Sequence, residues 1–172
     1  MKTVILTSGP RGAGKSTYVE LVKKIQPEVM CMSRDELLIE LFGKTSLCAY
    51  TGEHEYARLI FERRLKEVLK KDDDSKIIID YWNGFSKTRQ HLIEKFREYG
   101  ADRVICWQFV ISIDVCLNWF FKKSDSVGYS ENGCRRDHKL YYNTAKHIDK
   151  DGFDAVYHID PLQFSIPGFP LV

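Results

Sequence analysis

Hydrophobic and polar positions along the chain keep two alternating rhythms. Runs of strand length at residues 2–8, 29–32, 76–80, 103–111 and 155–159 are rich in β-branched and aromatic residues. Between them the apolar positions recur at helical spacing. A helix is predicted from near Lys15, with Val19, Leu21, Val22 and Ile25 on one face and Pro27 as its stop. A second is capped by Ser33 or Asp35, carries Leu37, Leu38, Leu41 and Phe42, and ends at Gly43. Longer helical patterns follow at about 52–71 and at 87–99, then at 114–123 and at about 134–149. Residues 124–133 are polar, contain glycine and have no period, which predicts a mobile segment. The tail from Pro161 has no regular pattern, and its prolines at 167 and 170 oppose one.

Strands alternating with helices predict βαβ units, hence an α/β fold with a parallel sheet of about five strands and helices on both faces. With 172 residues the expectation is one domain over residues 1–172, with a lid at about 122–136.

Composition narrows the function classes. Hydrophobic residues at 44% and charged residues at 29% belong to a folded globular chain and exclude a disordered or collagen-like one. The net charge of +2 and pI of 8.2 fall short of the basic surface that non-specific nucleic-acid binders carry. The longest apolar stretches, 104–110 and 115–121, are too short to span a bilayer, so no membrane partner is expected, and the opening run reads as a strand rather than a leader. Cys31, Cys48, Cys106, Cys116 and Cys134 are odd in number and form no Cys-x-x-Cys pair. They read as small apolar core residues in a reducing, cytoplasmic setting.

Chemistry concentrates in Gly9-Pro10-Arg11-Gly12-Ala13-Gly14-Lys15-Ser16-Thr17, which satisfies Gly-x-x-x-x-Gly-Lys-[Ser/Thr] between a predicted strand and a predicted helix. Glycines let the backbone curl so that its N–H groups converge on phosphate oxygens at the positive end of a helix. In that setting Gly9, Gly12, Ala13 and Gly14 cradle the phosphates and Lys15 places a charge on the β and γ phosphates. Ser16 is the candidate Mg²⁺ ligand, and Thr17 supports the same region.

The carboxyl ends of parallel strands face one crevice. The second strand enters it with Arg34 and Asp35, and the third ends there in Asp80. Asp35 is a candidate general base for a substrate hydroxyl, or alternatively only a helix cap with no chemical role. Asp80 is a candidate outer-sphere partner of magnesium or a substrate-binding carboxylate, and Arg34 a candidate substrate contact. Tyr81, Trp82 and Phe85 follow, one or more able to stack a base, with core packing expected for at least two of them. Arg89 is a candidate phosphate contact or a solvated arginine. Lys122-Lys123 and Arg135-Arg136 flank the lid and offer the positive charge that phosphoryl transfer needs. The five histidines show no metal-binding spacing.

These pieces resemble the small P-loop kinases typified by the kinase domain of phage polynucleotide 5′-hydroxyl kinase. The resemblance is carried by Val4-Ile5-Leu6-Thr7, the loop from Gly9 to Thr17, Ser33-Arg34-Asp35-Glu36, and Ile77-Ile78-Ile79-Asp80 with Asn83 and Arg89. It covers about the first 90 residues, with a compatible order of elements to about residue 160. It implies that Asp35 is the general base, that Lys15 and Ser16 serve ATP and Mg²⁺, and that a lid arginine clamps the phosphates. It is also compatible with a cytoplasmic, phage- or virus-encoded protein.

Two positions depart from the pattern. Leu38 stands where an arginine would contact the acceptor's phosphate, and Val127 falls near the lid arginine, so that Lys123 or Arg135 would substitute. The Asp-x-Asp-Gly-Thr signature of an accompanying phosphatase domain is absent from the sequence. The resemblance makes the 5′-OH of a polynucleotide the leading acceptor. A nucleotide or another small metabolite with a hydroxyl is the first alternative, and a non-catalytic nucleotide-binding module is the second.

Overall fold

The computed structural model describes residues 1–47, 51–71, 74–123 and 128–163. Its elements run β1 (Lys2–Ser8), α1 (Lys15–Ile25), β2 (Met30–Ser33), α2 (Arg34–Phe42), α3 (Glu53–Leu69), β3 (Ser75–Asp80), α4 (Ser86–Glu98), β4 (Arg103–Phe109), α5 (Ile113–Phe120), α6 (Glu131–Thr144) and β5 (Ala155–Ile159). A short 3-10 turn at Ile148–Lys150 precedes β5. The five strands form one sheet in the order β2-β3-β1-β4-β5, all neighbours parallel.

Side-chain alternation divides the sheet between two cores. Ile5, Ile78, Ile105 and Trp107 meet Tyr18, Val19 and Val22 of α1 on one face. Val4, Leu6, Ile77, Ile79 and Val104 meet α3 and α4 on the other, through Phe61, Leu65, Ile93 and Phe96. Each such fully buried aliphatic side chain stabilises the fold by about 1.5–3 kcal/mol relative to an exposed one. Beside β4, Cys106 packs with Tyr141 and Ala145 of α6, and with Ile148. The helices therefore cover both faces, as the alternating pattern implies.

Several boundaries differ from the sequence-based expectation: β4 stops at Phe109 rather than 111, α5 at Phe120 rather than 123, and both ends of α6 shift. The helix begins at Glu131 because Ser130 caps it, its Oγ accepting from the Gly133 N–H at 3.1 Å, so the aperiodic stretch does not reach residue 133. It also ends at Thr144 rather than near 149, and the chain continues as the 3-10 turn. Residues 124–127 of the segment expected to be mobile lie outside the described residues, as do Cys48, Asp72, Asp73 and the tail from 164. Among the described residues no helix is long and apolar enough to cross a membrane. Cys106, Cys116 and Cys134 are buried and Cys31 is half-buried, all as free thiols. Desolvation pushes the Cys31 and Cys116 thiols up to about 11, away from nucleophilic use.

Candidate active site

β1 delivers the glycine-rich loop directly into α1, and two of its glycines are structural requirements. Gly12 and Gly14 have φ of 76° and 79°, in the left-handed region that side chains disfavour. Space is closed to a side chain as well. A Cβ on Gly12 would lie 2.5 Å from the Cys116 carbonyl oxygen, and one on Gly14 2.8 Å from the Trp119 ring. With Gly14 as its N-cap, α1 has no side-chain cap, which leaves its first-turn N–H groups directed at whatever occupies the loop. Lys15 folds back over the loop, Nζ donating to the carbonyls of Gly9 and Pro10 at 3.0 and 2.9 Å. Desolvation lowers its pKa, and the negative charge of Asp80 opposes that shift. Phosphate oxygens would offer the amine the same hydrogen bonds together with opposite charge.

Facing the loop is a wall of carboxylates set by sheet register. Ser33 of β2 pairs with Asp80 of β3, so Asp35, two residues beyond Ser33, projects beside Asp80. Ser33 caps α2 by accepting from the Glu36 N–H at 3.4 Å, which leaves the Asp35 side chain uncommitted to capping. Thr7 donates to Asp80 Oδ1 at 3.0 Å and Ser16 to its Oδ2 at 3.3 Å, which orients that carboxylate. Ser16 and Asp80 thus present two hard oxygen donors side by side, a donor set that suits Mg²⁺. Asp35 opens to the crevice solvent, yet the protein around it strips part of its hydration and Asp80 adds a like charge. Both raise its pKa, against the pull of Arg34, Lys15 and Arg11.

Loop and carboxylates line one cavity of about 520 Å³. Arg34, Asp35, Asp80, Lys15 and Ser16 all reach it, as do Gly9, Gly12, Ala13 and Gly14. Thr17 is exposed on α1 and does not line it.

Two candidate residues stand elsewhere. Arg89 is fully buried, not at the crevice: its Nε donates to Asp151 at 2.5 Å, Nη1 to the Asn83 carbonyl and Nη2 to the Thr144 carbonyl, both at 3.0 Å. An arginine so paired is a strut, and the expectation of a phosphate contact is corrected. Together with Asn83, whose Nδ2 donates to the carbonyls of Thr7 and Tyr81 at 2.7 Å, it fixes the chain where it leaves β3. Arg135 lies along α6 in a pair with Glu131 at 2.7 Å and lines no part of the cavity. Helical i,i+4 spacing draws it to that carboxylate. Lys123 does line the cavity.

A second cation of the loop itself, Arg11, is not among the site residues expected from sequence. Arg11 is exposed, lines the cavity, and rests its guanidinium 4.1 Å from the Tyr129 ring centroid and 5.6 Å from that of Phe120. It occupies a wildcard position of the loop motif, so the pattern does not single it out. Asp137, Tyr141 and Thr144 also line the cavity, by virtue of where α6 packs. Among the described residues no cluster of three or more His, Cys, Asp or Glu is placed to hold a metal by itself.

A phosphate-binding loop between β1 and α1 of a parallel 2-3-1-4-5 sheet defines the P-loop kinase fold. Within that class, residues 4–132 match the family described as AAA domain, and the chain belongs to this family. The structure is similar to a chain of the Pnkp1/Rnl/Hen1 RNA repair complex, with a TM-score of 0.71 and 18% identity over 85% of this chain and 46% of that one. This chain thus spans about half the length of that relative. A fungal RNA kinase superposes with a TM-score of 0.57 at 17% identity, covering 92% of this chain and 74% of that one. Shikimate kinase from Bacteroides thetaiotaomicron gives 0.58 at 16%, covering 94% and 89%. These likenesses bear out the resemblance to polynucleotide kinases at the level of fold. No curated protein sequence matches the chain.

Proposed function

We propose that this protein is an ATP- and Mg²⁺-dependent kinase of a hydroxyl acceptor, with the 5′-OH of a polynucleotide as the leading acceptor. The observation that carries the reading is the pairing of two carboxylates, Asp35 and Asp80, at adjacent strand ends opposite the loop, in one cavity. A passive nucleotide-binding module has no use for the first of them.

In this reading the loop from Gly9 to Ser16 holds ATP, with Lys15 swinging from the loop carbonyls onto the phosphates. Ser16 and Asp80 would hold Mg²⁺, which would supply charge neutralisation along the phosphates. The acceptor oxygen attacks the γ-phosphorus in line as its proton passes to Asp35, and the bond from that phosphorus to the β,γ-bridging oxygen breaks to release ADP. A raised pKa makes Asp35 a better proton acceptor at the moment of attack. Arg11 and Lys123 supply the positive charge facing the γ-phosphate, in place of Arg135.

A second reading, a small metabolite as acceptor, is favoured by Leu38. That position is fully buried and therefore makes no acceptor contact. The test is transfer of labelled γ-phosphoryl from ATP with Mg²⁺ to 5′-OH DNA and RNA oligonucleotides, nucleosides, nucleoside monophosphates and small polyols. Label on oligonucleotides that disappears with Asp35→Asn supports the polynucleotide reading. Label confined to a small molecule moves the protein to the second reading, and no label while ATP still binds removes the kinase reading altogether.

A further inference from the structure

Next to Asp35 the cavity has a wall that neither nucleotide nor metal uses. Trp82 is 58% exposed and Phe85 42%, and both line the cavity. The sequence reading sends at least two of Tyr81, Trp82 and Phe85 into the core. Only Tyr81 goes there, its ring 5.2 Å from Phe61. Large apolar surface left open at a polar site marks a place for a ligand.

The indole is held in place. A Cβ on Gly84 would lie 2.7, 3.1 and 3.2 Å from three atoms of the Trp82 ring, so the indole lies directly on the Gly84 backbone, a seat only glycine allows. The Phe85 ring meets its edge at 5.2 Å and 69°, leaving the indole's far side to solvent. Sheet register places this platform. With Ser33 paired to Asp80, the residues just beyond, Arg34 and Asp35 on one side and Tyr81 and Trp82 on the other, emerge together. Arg34 lines the same cavity, and its Nη2 lies 2.9 Å from His54 Nδ1 rather than on a carboxylate.

We infer that Trp82, seated on Gly84 and braced by Phe85, stacks the terminal base of a nucleic-acid acceptor, while Arg34 meets the phosphate that follows it. The inference rests on the kinase reading and narrows its acceptor to one carrying a nucleobase. It also supplies a contact that the buried Leu38 does not. A stacked base is sequence-tolerant, since every base has a π-face, and the arginine adds a charge-assisted contact that a polyol lacks.

The test uses the full chain and a short oligonucleotide with a 5′-OH. Trp82→Ala is expected to raise the acceptor KM roughly 5- to 100-fold, the loss of one stacked base, with the KM for ATP held within about twofold. Trp82→Phe restores most of it. Gly84→Ala, which unseats the indole, moves KM in the same direction as Trp82→Ala. With the wild type, an oligonucleotide whose 5′-terminal nucleotide lacks its base should bind as poorly as the normal one binds to Trp82→Ala. That variant should no longer distinguish the two. A second readout needs no turnover: without ATP, the oligonucleotide should quench tryptophan fluorescence in the wild type and not in Trp82→Phe, where Trp107 and Trp119 remain. Oligonucleotide phosphorylation with a KM indifferent to Trp82 and to the terminal base overturns the platform and leaves the kinase reading standing. Absence of any transfer together with Trp82-dependent quenching keeps the platform and overturns the kinase reading. Neither transfer to the oligonucleotide nor quenching by it overturns the inference.

Discussion

The crevice has two walls built by different means. On one side Asp35, Asp80 and Ser16 stand at the ends of β2 and β3 and the start of α1, where the parallel ladder spaces them and Thr7 and Ser16 orient Asp80. On the other, Arg11 leans on Phe120 and Tyr129, and Asp137 and Tyr141 reach in from α6. The carboxylate wall inherits its geometry from backbone hydrogen bonds. The cationic wall inherits its geometry from helix packing and aromatic contacts that follow no short-range rule. Three arginines show the consequence: Arg89 became a buried strut, Arg135 a surface pair and Arg11 a cavity residue, although all three are equally arginine to the sequence.

The sharpest test of the carboxylate wall is Asp35→Asn. It keeps the size of the side chain and removes the proton acceptor, so kcat should fall by roughly 10²–10⁴ while ATP affinity is preserved. Equal turnover in single-turnover kinetics would return Asp35 to a role in local structure alone.

Next in size is Arg89→Ala, which leaves the Asp151 carboxylate buried without its partner. A loss of about 3–5 kcal/mol is expected in denaturant unfolding, with nucleotide affinity of the remaining folded protein little changed. Normal stability with weakened ATP binding would instead restore Arg89 to the phosphates.

The cationic wall is tested by two arginines in parallel. Arg11→Ala should lower kcat by roughly 10²-fold, the scale for one lost charge-stabilising donor. Arg135→Ala breaks exposed pairs with Glu131 and Asp114 and should change kcat by less than about twofold. The reverse ranking would mean that Arg135 leaves Glu131 for the phosphates when nucleotide binds.

Smallest, and informative about both walls, is the pH profile. Catalysis needs Asp35 ionised, and desolvation with the Asp80 charge raises its pKa from an ordinary value of 3.8. Activity should therefore fall as pH drops through a point above that value, and Asp80→Asn should move the acid limb downward. The same shift means that the folded state holds the proton more tightly than the unfolded one. Ionisation at neutral pH then works against folding, and Asp35→Asn should melt higher than the wild type at pH 7, with the gain shrinking on acidification. An acid limb at or below 3.8 contradicts the desolvated carboxylate.

Much of this molecule is determined by its sequence alone. Alternating strand and helix periods imply the parallel sheet, and Gly12, Gly14, Lys15 and Ser16 are recognisable because a phosphate cradle tolerates few residues at each position. Asp80 is legible for a related reason: a carboxylate that ends an Ile-Ile-Ile strand has nowhere to go but the crevice. Ser130 is a local signal too, a serine before a glutamate, yet its cap is overlooked inside a stretch without period. Tertiary structure alone decided the fate of Arg89, whose partner Asp151 lies far along the chain, and the exposure of Trp82, which depends on a seat at Gly84 and not on hydrophobicity. It also placed Arg11 against Tyr129. Periodicity and motif spacing record forces that act between near neighbours. Which charge finds which partner across a packed core depends on distances that exist only after the sheet and its helices have closed.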